Sequence, residues 1–271
     1  MSLPILNIPQ HASPEALVRF FHQTERHWTE HLAEPVQLNS GTAFANAALA
    51  NVRDANRVLD AAVEQGSSPD DALHEVAEHF AEQGTRCWSW IVNPSAGPEQ
   101  TTPLVQRLLD EGFVRRETQI LYLQRMPASV VREVAGLTII PQRASFRHTR
   151  ELSEEAASSW NEPQLAEAAM MHLDDPSWDA LLAMRDGVAV GKVGVLAVGE
   201  IGRIEDLYVS QAHRREGIGR TLMSRALEIC ARSLFKHIFV SCTVENAAAN
   251  ALYAQLGFRE VGRLVSYHSP E

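Results

Sequence analysis

A strand that runs into a glycine-containing loop and then a helix is the feature that most constrains the fold. Residues 204–209 are rich in β-branched and aromatic side chains, which predicts a strand. After the loop at 214–219, apolar side chains recur every three or four residues, which predicts a helix over 217–234. Another strand is predicted at 237–243. Strand, crossover helix and strand form a parallel unit, so the sequence predicts an α/β (α+β) fold.

The remaining chain also alternates helix and strand patterns. Further helices are predicted at 14–32, 69–83, 102–111, 149–160, 163–172 and 247–256. Further strands are predicted as a pair within 42–63 and at 86–92, about 113–126, 137–140, 178–185 and 188–198, with a last strand from about 259. Asp186 and Gly187 predict a tight turn. A linker is predicted at 127–136, between domains of residues 1–130 and 131–271.

The ends of these two halves resemble each other. LVQRLLDEGFVRRETQILYL at 104–123 and NALYAQLGFREVGRLVSYHS at 250–269 each read as a helix, a Gly-Phe pair and a strand. A single recurrence over about 145 residues favours two copies of one fold rather than a solenoid, whose repeats are shorter. The alternative is an unrelated α/β domain in the first half that serves partner recognition.

Composition excludes several classes of protein. Lys+Arg 24 against Asp+Glu 34 gives a net charge of −10, which argues against nucleic-acid binding through a basic surface. The sequence has no run of 18 apolar residues, so no membrane span is predicted. The first residues do not resemble a secretory signal. The three cysteines form neither a disulfide framework nor a CxxC metal pair, so we predict a cytoplasmic protein without a bound metal.

The loop at 214–219 has the chemistry of a phosphate site. Glycines at a helix start let a ligand approach the backbone, and the free amides and the helix dipole favour an anion. Arg214 and Arg215 can add charge-assisted hydrogen bonds to phosphate oxygens. The loop lacks the lysine of a P-loop, and Leu222 stands where a dinucleotide-binding fingerprint needs its third glycine.

This stretch resembles the GNAT superfamily of acyl-CoA-dependent N-acyltransferases. Its pyrophosphate loop, R/Q-x-x-G-x-G/A, is matched by Arg214, Gly217 and Gly219, and the preceding Leu-Tyr-Val resembles its bulged fourth strand. NAAANALYAQLGF resembles a later segment of the family, with matches at Asn246, Ala249, Tyr253, Gly257 and Phe258. The resemblance covers about residues 137–271. It implies a mixed central sheet flanked by helices, and the internal recurrence then implies two tandem GNAT-like domains.

The resemblance also implies acetyl-CoA as co-substrate. Two parallel strands are expected to splay, with pantetheine in the gap and backbone contacts from Leu207, Tyr208 and Val209. The pyrophosphate is expected at the following loop, whose candidate residues are Arg214, Arg215, Glu216, Gly217, Ile218, Gly219 and Arg220. Asn246 is expected to anchor the last helix or the pantetheine, or to act simply as an N-cap.

Acetyl transfer needs a base, an oxyanion donor and an acid for the departing thiolate. The resemblance makes Tyr253 the acid; otherwise it is a core aromatic. Glu205 is the candidate base, since alternation along a strand places it on the side of Leu207 and Val209, and Asp206 on the opposite side. Glu205 could instead be a structural charge paired with an arginine. The oxyanion donor is expected to be a backbone amide of the bulge, at Val209.

These expectations describe an N-acetyltransferase that moves an acetyl group to a primary amine of a small molecule or peptide by direct attack in a ternary complex. The alternative is a non-catalytic acyl-CoA-binding sensor or scaffold. The first half lacks the phosphate loop and a tyrosine like Tyr253, so we expect a degenerate copy that shapes an acceptor pocket between the domains. We interpret the H-x-x-E-H pattern at 27–31 as a solvated helix face, and Lys192 as an exposed strand residue.

Overall fold

The computed structural model describes residues 12–64, 66–126 and 134–270. The predicted linker at 127–136 lies largely outside the described residues. The prediction that there is no secretory signal concerns the first residues of the chain, which also lie outside the described residues. In the described part of the chain, no helix is long and apolar enough to cross a membrane.

The described residues of the first half form three α-helices and five strands. Its elements are α1 (Pro14–Glu30), β1 (Pro35–Leu38), β2 (Gly41–Phe44), β3 (Arg57–Ala61), α2 (Pro69–Glu82), β4 (Ser89–Val92), α3 (Pro98–Asp110) and β5 (Val114–Leu123). Capping explains two of the helix starts, because Ser13 and Ser68 accept hydrogen bonds from first-turn amides of α1 and α2.

The second half contains four helices and six strands within the described residues. They are β6 (Leu137–Pro141), α4 (Phe146–Ser159), α5 (Leu165–Met171), β7 (Trp178–Arg185), β8 (Val188–Val198), β9 (Ile201–Val209), α6 (Ile218–Arg232), β10 (His237–Cys242), α7 (Ala247–Gln255) and β11 (Phe258–His268). The turn between β7 and β8 is formed as predicted, since Asp186 and Gly187 both have positive φ angles.

Three elements differ from the sequence predictions. Helix α3 begins at Pro98, four residues early, because a proline suits the first helical position and the Gln100 side chain accepts a hydrogen bond from the Gly97 amide. Strand β1 was not predicted. The alanine-rich residues 47–49 form a 3-10 turn between the two strands predicted within 42–63.

The eleven strands of the described ranges join one mixed sheet, in the order β1-β2-β3-β4-β11-β5-β10-β9-β8-β7-β6. The last strand of each half crosses to the other half. Strand β11 lies between β4 and β5, and β5 lies between β11 and β10, with antiparallel pairing throughout. The mixed sheet with helices on it confirms the predicted fold class. The boundary at residue 130 stays a prediction.

The two halves repeat one order of elements. In β3-α2-β4-α3-β5 and in β9-α6-β10-α7-β11, the first two strands of each series are parallel. Asp60 in β3 and Asp206 in β9 both have a φ of 57°, which is uncommon outside glycine. This shared irregularity supports the interpretation of two copies of one fold.

Each half has its own apolar core, and helix α1 joins them. One core lies beneath α6 and α7 and includes Leu222 and Tyr253. The other lies beneath α2 and α3 and includes Phe80 and Leu108. Helix α1 belongs to the first half but packs on strands of the second, where Phe21 meets Phe239 edge to face with ring centroids 6.0 Å apart.

Candidate active site

The parallel strands β9 and β10 separate after three residue pairs. Pairing runs from Ile201 with His237 to Arg203 with Phe239 and then ends. Both strands continue, β9 to Val209 and β10 to Cys242. The backbone of β9 beyond Arg203 is therefore not paired with β10, which leaves hydrogen-bonding groups open toward the gap.

A bulge at Asp206 changes the direction of the side chains in β9. The register with β8 shifts between the pairs Lys192–Tyr208 and Gly194–Glu205, and Asp206 has a φ of 57°. Beyond the bulge, Leu207 and Val209 pack toward the core beneath α6. Tyr208 packs beneath α4.

Because of this bulge, the predicted facing of two carboxylates is wrong. Glu205 does not share a face with Leu207 and Val209, and Asp206 does not lie opposite Glu205. Both carboxylates border one cavity on the α1 and α4 side of the sheet. Simple alternation along the strand fails here because the extra residue of a bulge reverses it.

The amide of Val209 points into the gap. The Ser210 N–H donates to Val190 O in β8 at 3.0 Å, and neighbouring residues of a strand direct their N–H groups to opposite sides. Val209 pairs across with Gly191, so its own polar groups face away from β8. Its carbonyl oxygen accepts a hydrogen bond from Arg214 Nε at 3.1 Å, which ties the following loop to this strand.

Two residues with left-handed backbone shape that loop. Arg215 has a φ of 68° and Gly217 one of 88°, and α6 begins directly afterwards at Ile218. A Cβ on Gly219 would stand 3.6 Å from Val209 Cγ2, an ordinary contact, so alanine would also fit there. The first amides of α6 have no partner within the helix and open toward the gap end of β9.

The charged side chains around the loop have local partners. Glu216 forms ion pairs with Arg185 and, at 3.8 Å, with His213, which offsets its negative charge near an anion site. Arg220 Nη2 donates to Gln255 Oε1 and thereby links α6 to α7. The start of α6 therefore combines free amides with arginines and suits an anion.

Glu205 belongs to a buried network of charges that joins the halves. Arg203 contacts Glu205 Oε2 through Nη2 at 2.6 Å and through Nε at 2.7 Å. Arg203 Nη1 also lies 2.6 Å from Glu25 Oε1 in α1, while Glu25 Oε2 lies 3.0 Å from Arg57 of β3. The Glu25 carboxylate of the first half thus forms ion pairs with one arginine from each half.

The network has opposite effects on its two carboxylic acids. Burial raises the pKa of Glu205, the charges of Glu25 and Asp206 raise it further, and Arg203 only partly opposes them. Burial alone would also raise the pKa of Glu25, but Arg203, Arg57 and His22 outweigh it and lower that pKa. The lowered pKa of Glu25 favours its carboxylate form, whereas the raised pKa of Glu205 makes Glu205 the stronger base of the two.

Tyr253 lies in the core beneath α7, 7% exposed, with its ring edge to face with Phe258 at 6.0 Å. No hydrogen bond of its hydroxyl is seen among the described residues. Burial raises its pKa, and the negative charge of Glu205 adds to that shift. The phenol therefore stays protonated and remains available as a hydrogen-bond donor.

Asn246 is an N-cap. Its side-chain oxygen accepts a hydrogen bond from the Ala249 amide at 3.1 Å, which satisfies a first-turn amide of α7. Asn250 then ties the same turn to β10, since its Nδ2 donates to Thr243 O at 3.0 Å. A further contact of Asn246 with a cofactor stays a prediction.

A cavity of about 210 Å³ lies between the halves, bordered by Glu205 and Asp206 of β9. Trp28 and Asp54 come from the first half, and alanines of α4 and α5 form one wall. Gly194 leaves room for the Trp178 ring, which borders the cavity, because a Cβ at that position would stand 2.0 Å from the ring.

Lys192 is not exposed as predicted: it is 2% exposed, and its Nζ lies 2.7 Å from Asp206 Oδ2 and 3.1 Å from Ser153 Oγ. The bulge turns Asp206 toward this lysine, and the pair together borders the cavity. The signal in the sequence was an isolated lysine in an otherwise apolar strand. If that strand is buried, the lysine needs an acidic partner, because an unpaired charge is rarely buried.

The H-x-x-E-H pattern of α1 is not a solvated face either. His27 Nε2 lies 3.1 Å from Asp175 Oδ2, and His31 Nε2 donates to Met171 O at 2.8 Å. Both partners lie in the second half, so this face of α1 joins the halves. Among the described residues no group of three His, Cys, Asp or Glu side chains could hold a metal ion.

Comparisons with known proteins relate the second half of the chain to one family. The model of the acetyltransferase (GNAT) family matches residues 146–258. The chain is 25% identical over 114 residues to a Bacillus subtilis (strain 168) protein with a provisional name as a ribosomal protein bS18 alanine N-acetyltransferase, covering 42% of this chain and 76% of that protein.

Two solved structures extend the likeness to the fold. A GCN5-related N-acetyltransferase from Kribbella flavida superposes with a TM-score of 0.63 at 17% identity, over 93% of this chain and 95% of that one. A tandem GNAT protein from the clavulanic acid biosynthesis pathway gives a TM-score of 0.50 at 19% identity, over 74% of this chain and 70% of that one.

Proposed function

Since residues 146–258 form a domain of the GNAT acetyltransferase family, we propose that this protein transfers the acetyl group of acetyl-CoA to a primary amine in a ternary complex. One observation supports this most: the open gap beside β9 brings a backbone amide and a carboxylate with a raised pKa to the same short stretch of chain. An acyl transfer uses a hydrogen-bond donor at the carbonyl oxygen and a base at the attacking nitrogen.

In this proposal the thioester lies in the gap between β9 and β10. The Val209 amide donates a hydrogen bond to the thioester oxygen, which becomes an oxyanion when the amine attacks. Glu205 accepts one proton from the ammonium and passes it to solvent, and it accepts the second proton from the same nitrogen once the amine has attacked the thioester. The new C–N bond forms, the C–S bond breaks, and the thiolate of CoA leaves.

Tyr253 is proposed to donate a hydrogen bond to that departing thiolate. Because its pKa is raised above that of a thiol, full transfer of its proton is uphill. Stabilisation through the hydrogen bond is the role that its buried phenol can fill. The CoA pyrophosphate would lie on the first amides of α6, where Arg214 and Arg215 add positive charge.

The acceptor amine is proposed to enter the cavity between the halves. Its floor holds the Glu205 carboxylate, and its acidic groups outnumber its basic ones, with Asp54, Glu205 and Asp206 against Lys192 and Arg203. A cationic amine suits this balance. The first half then serves as a copy without a cofactor site of its own and supplies part of the acceptor pocket through α1.

Steady-state assays with acetyl-CoA and a broad panel of amines, monitored by released thiol, test the proposal. We expect thiol release that depends on both substrates, with one acetylated amine formed per thiol. Tight acetyl-CoA binding with no turnover across the panel would contradict it and would favour an acyl-CoA-binding sensor or scaffold.

A further inference from the structure

His172 is a buried histidine with neither ring nitrogen bonded. It follows α5, is 2% exposed and borders the cavity that also holds Glu205. Within the described residues, both Nδ1 and Nε2 lack a hydrogen-bond partner. Native proteins seldom leave a buried polar atom unsatisfied, so two such atoms at the wall of a cavity point to a ligand.

The ring is held in place by both halves. Trp28 of α1 stacks on it with ring centroids 3.5 Å apart, and Trp178 of β7 lies at 6.5 Å. With one face packed on Trp28, the imidazole offers a ligand its two unsatisfied nitrogens. Its orientation is therefore fixed before any ligand arrives, which suits a recognition group.

The imidazole is neutral. Burial lowers its pKa to about 2, and the positive charges of Arg203 and Lys192 oppose protonation further, as do His31 and His27. A neutral imidazole has one nitrogen that donates and one that accepts. A hydroxyl group can donate to the bare nitrogen or accept from the protonated one, so it can satisfy whichever of the two it meets.

The same surroundings disfavour a second cation at this point. Arg203 and Lys192 would repel an ammonium group placed against His172, as they repel a proton on the ring itself. A plain alkyl chain would leave both nitrogens unsatisfied. By charge and hydrogen bonding, the site thus distinguishes amines that bear a hydroxyl group from plain alkylamines and from diamines.

We propose that His172 is a specificity-determining residue that binds a hydroxyl group of the acceptor, so that the preferred substrates are primary amines bearing a hydroxyl rather than alkylamines or diamines. The inference rests on the proposed function, since it names the substrate class of that site.

Calorimetry with the full chain saturated with CoA, which cannot donate an acetyl group, measures amine binding without turnover. The probes are amino alcohols, alkylamines and diamines with chains of two to six carbons, compared at equal length. We expect the best amino alcohol to bind about tenfold more tightly than its alkylamine, and the diamine to bind no better than the alkylamine.

His172→Phe keeps an aromatic ring on Trp28 but removes both nitrogens, so we expect the ratio between amino alcohol and alkylamine to fall to near one. The matched control is His74→Phe, an exposed position on α2 whose side chain pairs with Glu78, and it should keep the wild-type ratio. In case His172→Phe does not fold, the ring ¹⁵N resonances of wild-type His172 should shift with the amino alcohol and not with the alkylamine.

Three results would overturn the inference: equal affinities in the wild type, an unchanged ratio in His172→Phe, or no binding by any probe. The proposed function fails differently. A preference for amino alcohols in binding, together with no acetyl transfer to them from acetyl-CoA, would retain the role of His172 and reject the enzyme.

Discussion

The two halves carry the same parallel β-α-β unit, but only the second leaves it open. In the first half, β3 and β4 stay paired beyond the bulge: Ala61 pairs with Val92, and the Asn93 amide donates to Ala61 O at 3.1 Å. In the second half, pairing of β9 with β10 ends at Arg203, three residues before the bulge at Asp206. The element order is shared, and the separation of the strands differs.

The side chains at corresponding positions also differ, since the first half has apolar residues where the second half has candidate catalytic ones. One residue before the bulge stands Leu59 in the first half and Glu205 in the second. Five residues before the phenylalanine of the Gly-Phe pair stand Leu108 and Tyr253. Both leucines are fully buried. The candidate base and the candidate hydrogen-bond donor thus have apolar counterparts in a closed core.

The helix starts also differ in charge. Helix α2 has Asp70 and Asp71 in its first turn, whereas α6 has no acidic residue in its first turn and follows two arginines. Carboxylates at a helix start occupy the favourable end of the dipole and repel a phosphate. The comparison shows that one fold binds or excludes a phosphate ligand through a few local changes, without a change of topology.

The largest effect is expected on acetyl-CoA affinity, from a substitution that tests the difference between the starts of α6 and α2. Gly217→Asp places a negative charge where the pyrophosphate would lie, so we expect the dissociation constant of acetyl-CoA to rise by about 100-fold or more. Calorimetry measures it, and the same titration of the wild type should give one acetyl-CoA per chain.

Gly66→Asp is the control, because Gly66 lies shortly before α2 and has nearly the same φ as Gly217, 90° against 88°. Both variants therefore bear a comparable backbone strain. The control should bind acetyl-CoA as the wild type does. Equal losses in the two variants, or a second acetyl-CoA bound in the wild type, would show that the halves do not differ as argued.

The next effect tests the contrast between Tyr253 and Leu108. Tyr253→Phe removes the hydrogen bond to the leaving thiolate and should lower kcat by ~10²–10⁴-fold if chemistry limits turnover, with the acetyl-CoA dissociation constant unchanged. Tyr267→Phe, also buried but in the core of the first half, should retain full kcat. Full activity in Tyr253→Phe would make the tyrosine a core aromatic like its counterpart.

The sequence predicted the elements and the position of the loop, because periodicity and capping depend on neighbouring residues. Asp186-Gly187 and Ser68 are examples, since each forms the turn or cap that its residue type favours. The Gly-Phe recurrence indicated two copies of one fold. The exchange of β5 and β11 between the halves could not be predicted in this way, because the strand order depends on pairing between residues more than 100 positions apart in the sequence.

The burial of Lys192 was missed because its partners, Asp206 and Ser153, come from other elements of the fold, and the facing of Glu205 was missed because of the bulge. A bulge shifts the strand register by one residue, and alternation then gives the wrong face for every residue beyond it. Asp206 adopts a left-handed backbone that its sequence position alone does not require. His172 was missed as well, since its unpaired state is visible only once Trp28 and the cavity surround it.

A third prediction concerns the pH profile and the contrast between Glu205 and Leu59. Only the ionised carboxylate accepts a proton, so kcat/KM should fall as the pH drops through the raised pKa of Glu205. Glu205→Gln should lower kcat/KM by roughly tenfold or more at neutral pH and abolish this acidic limb. Activity should then rise only as the free amine itself deprotonates. An unchanged acidic limb would assign the proton transfer to another group.

The smallest expected effect tests whether Glu25, which contacts an arginine from each half, also sets the charge of Glu205. Its negative charge raises the pKa of Glu205, so Glu25→Gln should lower that pKa and move the acidic limb of kcat/KM to lower pH by a fraction of a unit. Glu30→Gln, an exposed position on the same helix, should leave the limb in place. Thermal unfolding of both variants separates the two roles, because a merely structural Glu25 would lower the melting temperature without moving the limb. A limb that moves to higher pH would mean that Glu25 acts mainly by holding Arg203 against Glu205, with the sign of the coupling reversed.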